Sequence, residues 1–139
     1  MLVRNCSGGL VFFDNKVLLL KNDKHEWAFP KGVLREGDDE KAVALRRVLL
    51  EAGIKAHILA PAGKTAYEFY SLSRQRPVAN KISWYVMSSD TDVVAPSLAN
   101  NMVEGGFFTI EEAMDMVTYS QDKSLLILAF QKYKDLTKS

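Results

Sequence analysis

One stretch of the chain, residues 32–54, constrains the fold more than any other, because a glycine lies close to each of its ends. Acidic residues precede the helix predicted here, and we expect it to begin near Asp38 or Asp39, since the helix dipole favours negative charge in the first turn. Gly53 suits the left-handed position that commonly follows a helix, so the helix should end at Ala52. Its apolar side chains share one face, which we expect to pack on a sheet: Ala42, Leu45, Leu49 and Ala52.

The spacing in this stretch resembles the Nudix box, the signature of the Nudix (MutT-like) hydrolases. That pattern is G-x5-E-x7-R-E-U-x-E-E-x-G-U, where U is a bulky apolar residue. The matching positions are Gly32, Arg46, Val48, Glu51, Gly53 and Ile54. Asp38 stands where the first glutamate belongs, whereas Arg47 and Leu50 replace two glutamates, so the box is degenerate. The preceding segment, residues 27–32, resembles that of diadenosine polyphosphate hydrolases.

Strands and helices are predicted along most of the remaining chain. Two apolar runs around the turn at 14–16 predict a β-hairpin, and further strands are expected over 54–59, 64–72, 78–87 and 106–108. Thr109 with Glu112, and Thr118 with Gln121, have the capping-box pattern, so a helix should begin after each threonine. The second helix, over 119–136, carries a predicted apolar stripe of Leu125, Leu128, Ala129, Tyr133 and Leu136.

This order of elements indicates the α/β class, with a mixed β-sheet covered by helices on both faces. The resemblance implies the same architecture, a Nudix-type α/β/α sandwich, in a single domain over residues 1–139. The length of the chain fits one domain.

Metal chemistry is what the box resemblance implies, because its helix glutamates hold Mg²⁺ or Mn²⁺ against a pyrophosphate. Residues 47, 50 and 51 lie on one side of the helix, which we expect to point away from the packed face. Leu50 cannot ligate an ion. Arg47 places a positive charge where the ion would lie, and two unit charges about 4 Å apart, at an effective dielectric near 20, interact with an energy of about 4 kcal/mol. A divalent ion would feel roughly double that repulsion. Glu51 and Asp38 remain as candidate catalytic residues and ligands for weakly bound Mg or Mn.

Other residues are candidates for holding the substrate. The guanidinium of Arg47 is able to bind a phosphate group directly, and the resemblance implies that Arg46 orients a carboxylate. Lys31 and Lys81, which flank predicted strands or loops, and Gly32 are further candidates for binding the substrate. Two acids are candidates for a general base outside the retained pair, Glu104 before the last strand and Asp39 at the start of the helix. Aromatic residues of the strands, such as Tyr67 and Trp84, would either stack on a nucleobase or pack in the core.

Composition limits the kinds of partner and compartment. The net charge of +1 gives no overall field that favours nucleic acid or a membrane, so neither partner is expected. The sole cysteine, Cys6, excludes an internal disulfide and suits a reducing compartment. No signal peptide or membrane-spanning run is apparent, and we expect a cytoplasmic protein. Proteins of the family that the box resembles commonly dimerise, so a homodimer is one possible oligomeric state.

Three functional hypotheses follow. The leading one is a protein that binds a nucleotide or another organic pyrophosphate, with phosphoanhydride hydrolysis weak or lost. The second is an active Mg- or Mn-dependent pyrophosphohydrolase, acting on a dinucleoside polyphosphate or a nucleoside diphosphate derivative. The third is a regulatory or interaction protein on the same fold.

Overall fold

The computed structural model describes residues 1–138, which form seven strands and three α-helices around one mixed sheet. The strands are β1 (Leu2–Phe13), β2 (Lys16–Asn22), β3 (Trp27–Ala28), β4 (Lys31–Val33), β5 (His57–Ser71), β6 (Arg76–Ser88) and β7 (Met102–Thr109). The helices are α1 (Glu40–Ala52), α2 (Ile110–Met116) and α3 (Ser120–Thr137), and a 3₁₀ turn covers Leu98–Asn100. The predicted α/β class, with a mixed sheet covered by helices on both faces, is confirmed.

The main path of the sheet runs β3-β2-β1-β6-β5, with β4 pairing to β1 and β7 to β2. The strands β1 and β6 are parallel over a long register from Leu2–Val78 to Phe12–Ser88, while the other pairs are antiparallel. Because β1 pairs with β4 near its middle and with β2 only at its end, the sheet opens on this side. That opening is where the cleft described below lies.

Each face of the sheet has its own apolar core. Helix α1 packs Ala44 and Val48 against Val11 and Leu18 on one face. Helices α2 and α3 cover the other, where Leu126 meets Phe12. Within residues 1–138 no helix is long and apolar enough to cross a membrane.

Several predicted details of the helices are wrong. In α1 the buried side chains are Val43, Ala44, Val48, Glu51 and Ala52, whereas Leu49 is 51% exposed. The stripe of α3 is likewise displaced, since Leu126 is fully buried and Leu128 is 62% exposed. Both helices carry apolar residues on more than one side, so the sequence pattern did not determine which side meets the sheet.

The two expected capping boxes behave differently. Thr109 accepts a hydrogen bond from the Glu112 backbone N–H, and the Glu112 side chain accepts one in return. Thr118 is instead an acceptor for the backbone N–H of Trp27, 2.9 Å away, and α3 begins after Tyr119 without a side-chain cap. The hydroxyl of Thr118 therefore ties the start of α3 to β3.

Candidate functional site

The loop between β4 and α1 delivers the helix to the edge of the opening. Gly37 has a positive φ of 82° in this loop, a conformation that glycine adopts without strain. The carboxylate of Asp38 accepts a hydrogen bond from the Arg35 backbone N–H at 2.9 Å, which closes the loop on itself. The N-cap of α1 is Asp39, whose side chain accepts from the Ala42 backbone N–H at 3.0 Å. Both acids are exposed and both act as local structural groups.

Gly32 lies directly under the side chain of Arg47. A Cβ placed on Gly32 would lie 2.4 Å from Cγ and 2.6 Å from Cδ of Arg47, closer than carbon atoms can approach. The aliphatic stem of Arg47 therefore crosses the backbone of β4 at a point where only glycine leaves room. This contact fixes the direction in which the guanidinium extends from α1.

The guanidinium of Arg47 is paired with the carboxylate of Glu51, one turn further along α1. Its Nε donates to Oε2 of Glu51 at 2.9 Å, and its Nη2 donates to the same oxygen. Glu51 is only 2% exposed, while the side chain of Arg47 is 28% exposed and reaches the cleft. Burial raises the pKa of Glu51, and the positive charges of Arg47 and Lys31 act in the opposite direction. Glu51 is thus a buried carboxylate that already has a counter-charge.

A cleft with a volume of about 990 Å³ opens beside this pair. Lys31 and Gly32 of β4 line it together with Arg47 and Glu51 of α1. The positive charge of Lys31 acts to lower the pKa of Glu26, Glu51 and Asp122, although burial raises the pKa of Glu51 and Asp122 overall. Lys31 therefore adds positive charge beside three acidic groups of the cleft region.

One wall of the cleft is a row of polar side chains across three neighbouring strands. Arg4 of β1 and Tyr67 of β5 both lie beside Asn80 of β6 in the strand register. Nε of Arg4 donates to Oδ1 of Asn80 at 2.9 Å, and Nδ2 of Asn80 donates to the Tyr67 hydroxyl at 2.8 Å. Asn80 is 2% exposed, so both ends of its amide hold a cleft residue in place.

Aromatic rings continue this wall. Tyr67 stacks on Tyr119, with ring centroids 5.5 Å apart and planes 18° from parallel. The hydroxyl of Tyr119 donates to Glu26 at 2.5 Å, and Asn22 donates to the other oxygen of the same carboxylate at 3.0 Å. These two hydrogen bonds lower the pKa of Glu26. The wall combines flat apolar surface with hydrogen bonds that hold it rigid.

Comparison with known proteins decides the family. The model of the NUDIX domain matches residues 4–128. The chain belongs to the Nudix family. The match begins within β1 and ends within α3, and every group of the cleft named above lies inside it.

Solved structures show the same fold at low sequence identity. An Ap4A hydrolase of C. elegans, in a binary complex, superposes with a TM-score of 0.71 at 21% identity, covering 95% of this chain and 98% of the other. The dihydroneopterin triphosphate pyrophosphohydrolase of E. coli gives 0.73 at 14% identity, covering 91% and 95%. A MutT protein of Methanosarcina mazei gives 0.73 at 17% identity, covering 96% of each chain.

Nudix hydrolases generally use divalent metal ions, but the acids present in this chain do not fit a metal cluster. Within residues 1–138 there is no group of three or more His, Cys, Asp or Glu side chains placed to hold one ion. Glu51 is buried against Arg47, Asp38 is held by its own loop, and Leu50 is an exposed apolar side chain on α1. A metal bound to Glu51 would lie beside the guanidinium of Arg47, which already bonds Oε2 of this carboxylate.

The predicted site residues divide into two sets. Lys31, Gly32, Arg47 and Glu51 come together in the cleft. The others lie outside its lining: Asp38, Arg46, Lys81 and Glu104. Of these, Arg46 is exposed on α1, and Glu104 lies on β7 opposite Lys21. Lys81 lines a separate pocket of about 290 Å³ with Lys64 and Glu40.

Four residues of the cleft region were not anticipated as part of a site: Arg4, Asn80, Tyr119 and Asp122. Asp122, in the first turn of α3, is 5% exposed, and burial raises its pKa to about 6 while Lys31 opposes the shift. Asn80 lies in a predicted strand and Arg4 lies just before the predicted β-hairpin, but the two residues are 76 positions apart in the chain. No local motif indicates their contact, since it depends on the pairing of β1 with β6.

Proposed function

We propose that this Nudix-family protein binds a nucleotide or another organic pyrophosphate in the cleft, with hydrolysis of the phosphoanhydride bond weak or lost. The observation that carries this proposal is the pair of Arg47 and Glu51, which occupies box positions where the family has two metal-binding glutamates. A carboxylate that accepts two bonds from a guanidinium has already satisfied its charge. It is a poor ligand for a hard cation that needs several free oxygens.

The charge of Arg47 disfavours binding of a metal ion but favours binding of an anionic substrate. At an effective dielectric near 20, a guanidinium about 4 Å from a divalent ion repels it by roughly 8 kcal/mol before the solvent relaxes. The same guanidinium attracts a phosphate group. Of the five N–H groups of Arg47, two donate to Glu51, which leaves three for an anionic ligand.

The shape of the cleft supports a ligand with both charged and flat parts. Arg47, Lys31 and Arg4 all line the cleft, and Asn80 holds Arg4 in place. The rings of Tyr67 and Tyr119 supply flat surface between polar groups. This combination suits a molecule in which a polyphosphate joins an aromatic base, which is the class that the names of the Ap4A and dihydroneopterin triphosphate enzymes describe.

The same proposal takes the chain as one Nudix domain that works in the cytoplasm without nucleic acid or membrane. Its support is the net charge of +1 and the single cysteine, Cys6, which is buried and free. Fractionation of cells, with detection of the native protein, tests the compartment.

A panel of dinucleoside polyphosphates, nucleoside triphosphates and nucleotide sugars separates the three hypotheses. We expect some of these ligands to raise the melting temperature of the protein, with turnover well below about 1 s⁻¹ in Mg²⁺ or Mn²⁺. Turnover above that rate would establish an active hydrolase instead. Neither stabilisation nor turnover would favour a regulatory or interaction protein.

A repair variant tests the reason for the weak chemistry. The double substitution Arg47→Glu, Leu50→Glu restores the acidic helix side, so it should raise metal affinity and increase hydrolysis of whichever panel member binds. A matched control is Lys41→Glu, Leu49→Glu, which makes the same change of charge at exposed positions of α1 outside the cleft lining. A folded repair variant that gains neither property would refute the account of the missing ligands.

A further inference from the structure

The charged groups around the cleft differ in whether a partner within the protein pairs with them. Within residues 1–138 the ion pair of the cleft is Arg47 with Glu51, and His57 meets Asp90 elsewhere in a contact that is ionic only when the histidine is protonated. The carboxylate of Glu51 is thus engaged, and that of Glu26 accepts hydrogen bonds from Tyr119 and Asn22.

Four cations of the lining, by contrast, have no carboxylate partner within the described chain: Arg4, Lys24, Lys31 and Arg74. Arg4 is the most firmly placed. Its Nε is fixed by Asn80, and its guanidinium carbon lies 5.7 Å from the centre of the Phe69 ring. Its terminal nitrogen atoms make no hydrogen bond to residues 1–138, so they are available to a ligand. The remaining acids of the lining, Asp23 and Glu68, are both exposed.

We infer that the cleft takes polyphosphate in its metal-free, fully ionised form, and that Mg²⁺ competes with the protein for this ligand. The inference rests on the proposed function and specifies the ionic form of the molecule bound. It reverses the usual relation between a Nudix site and its metal, in which the ion joins protein to substrate.

The physical reason lies in the oxygen atoms of the phosphate chain. A Mg²⁺ ion on those oxygens occupies positions that guanidinium and ammonium groups would otherwise use, and it removes two negative charges from the ligand. The ion also needs oxygen ligands from the protein side. Glu51, the acid nearest to this position, already faces Arg47. The magnesium complex therefore loses attraction to Arg4 and Lys31 without gaining a carboxylate.

Linkage gives the size of the effect. If only the metal-free ligand binds, the apparent dissociation constant is the intrinsic one divided by the fraction of ligand that is metal-free. When Mg²⁺ chelates about 90% of the ligand, the apparent Kd rises about tenfold. A general effect of salt must be separated from this one, since screening also weakens exposed ion pairs.

Isothermal calorimetry with a methylene-bridged ATP analogue tests the inference. One titration contains EDTA, one contains enough MgCl₂ to chelate about 90% of the analogue, and one contains EDTA with NaCl at matched ionic strength. We expect about tenfold weaker binding in MgCl₂ than in the matched NaCl sample. Equal or tighter binding in MgCl₂ would overturn the inference while the proposed binding function stands. Absence of binding in all three solutions would overturn both.

Two variants strengthen the test. Arg4→Met keeps the stem of the side chain but removes the cation, so binding in EDTA should weaken about tenfold, whereas Lys41→Met on the exposed side of α1 should leave it unchanged. The repair variant Arg47→Glu, Leu50→Glu should reverse the sign, binding the analogue more tightly with Mg²⁺ than with EDTA. A repair variant that stays folded and still binds more tightly in EDTA would contradict the role assigned to the Arg47 charge. Circular dichroism confirms the fold of each variant.

Discussion

Replacing Arg47 by methionine would leave the carboxylate of Glu51 buried without its counter-charge. Methionine retains a stem that can lie across Gly32, so the substitution removes the guanidinium while preserving most of the packing. Glu51 is 2% exposed, and water therefore cannot replace the two lost hydrogen bonds without a rearrangement. Removing one partner of a buried pair costs about 3–5 kcal/mol. Because the side chain of Arg47 is 28% exposed, we expect the lower end, about 3 kcal/mol, at pH 8.

The same substitution should be much less costly in acid. Burial already raises the pKa of Glu51 above its ordinary 4.5, and loss of the Arg47 charge raises it further. The folded state then binds a proton more tightly than the unfolded state, so stability falls as pH rises from about 4.5 through the folded pKa. The loss at pH 5 should therefore be smaller than the loss at pH 8, by about 1.4 kcal/mol for each pH unit by which removal of the Arg47 charge raises the folded pKa.

Urea denaturation of the wild type, Arg47→Met and Arg46→Met at pH 5 and pH 8 measures these differences. Arg46 is the matched control, since it neighbours Arg47 but is exposed and forms no hydrogen bond or ion pair within residues 1–138. We expect Arg46→Met to change the free energy of unfolding by less than about 0.5 kcal/mol at both pH values. A loss for Arg47→Met that is equal at the two pH values, or no larger than that of the control, would refute the reasoning.

Three further predictions concern the supports of the site. Gly32→Ala should lower the free energy of unfolding by about 1–3 kcal/mol, and by less in an Arg47→Ala background, where the obstructing stem is absent. A double-mutant cycle in urea measures this coupling, and simple additivity of the two substitutions would contradict the contact. Asp122→Asn should gain up to about 3 kcal/mol of stability relative to the wild type between pH 4 and pH 8. The reason is that the wild type loses stability as pH rises through the folded pKa of Asp122, which burial raises to about 6. A difference in the denaturation curves that does not depend on pH would count against burial of the charge. Thr109→Ala should lower the free energy of unfolding by about 1 kcal/mol through loss of the capping box on α2, and thermal denaturation with no measurable change would show that the cap contributes nothing.

The parts of the fold that local chemistry determines were predictable from the sequence. Gly53 has the expected left-handed conformation, with φ of 71°, and its backbone N–H bonds to the Leu49 carbonyl. The box spacing indicated the family, and the match over residues 4–128 bears it out. Both signals work because they depend on residues close together in the chain.

The parts that depend on distant pairing were not predictable. Helix α1 has apolar residues on several sides, and Glu51 was assigned to the side away from the sheet. Its burial follows from packing of Ala44 and Val48, which rotates that side of the helix towards β4. The row of Arg4, Asn80 and Tyr67 exists only because three strands pair in one register. A single sequence contains no local signal for either arrangement.

The affinity of the unmodified protein for a divalent cation tests the central claim most directly. Titration with Mn²⁺, followed by calorimetry and by water-proton relaxation in the absence of nucleotide, should show no saturable site tighter than about 1 mM, since the helix acid that would hold the ion is already neutralised by Arg47. A stoichiometric site of micromolar affinity, together with rapid cleavage of a dinucleoside polyphosphate, would contradict the account.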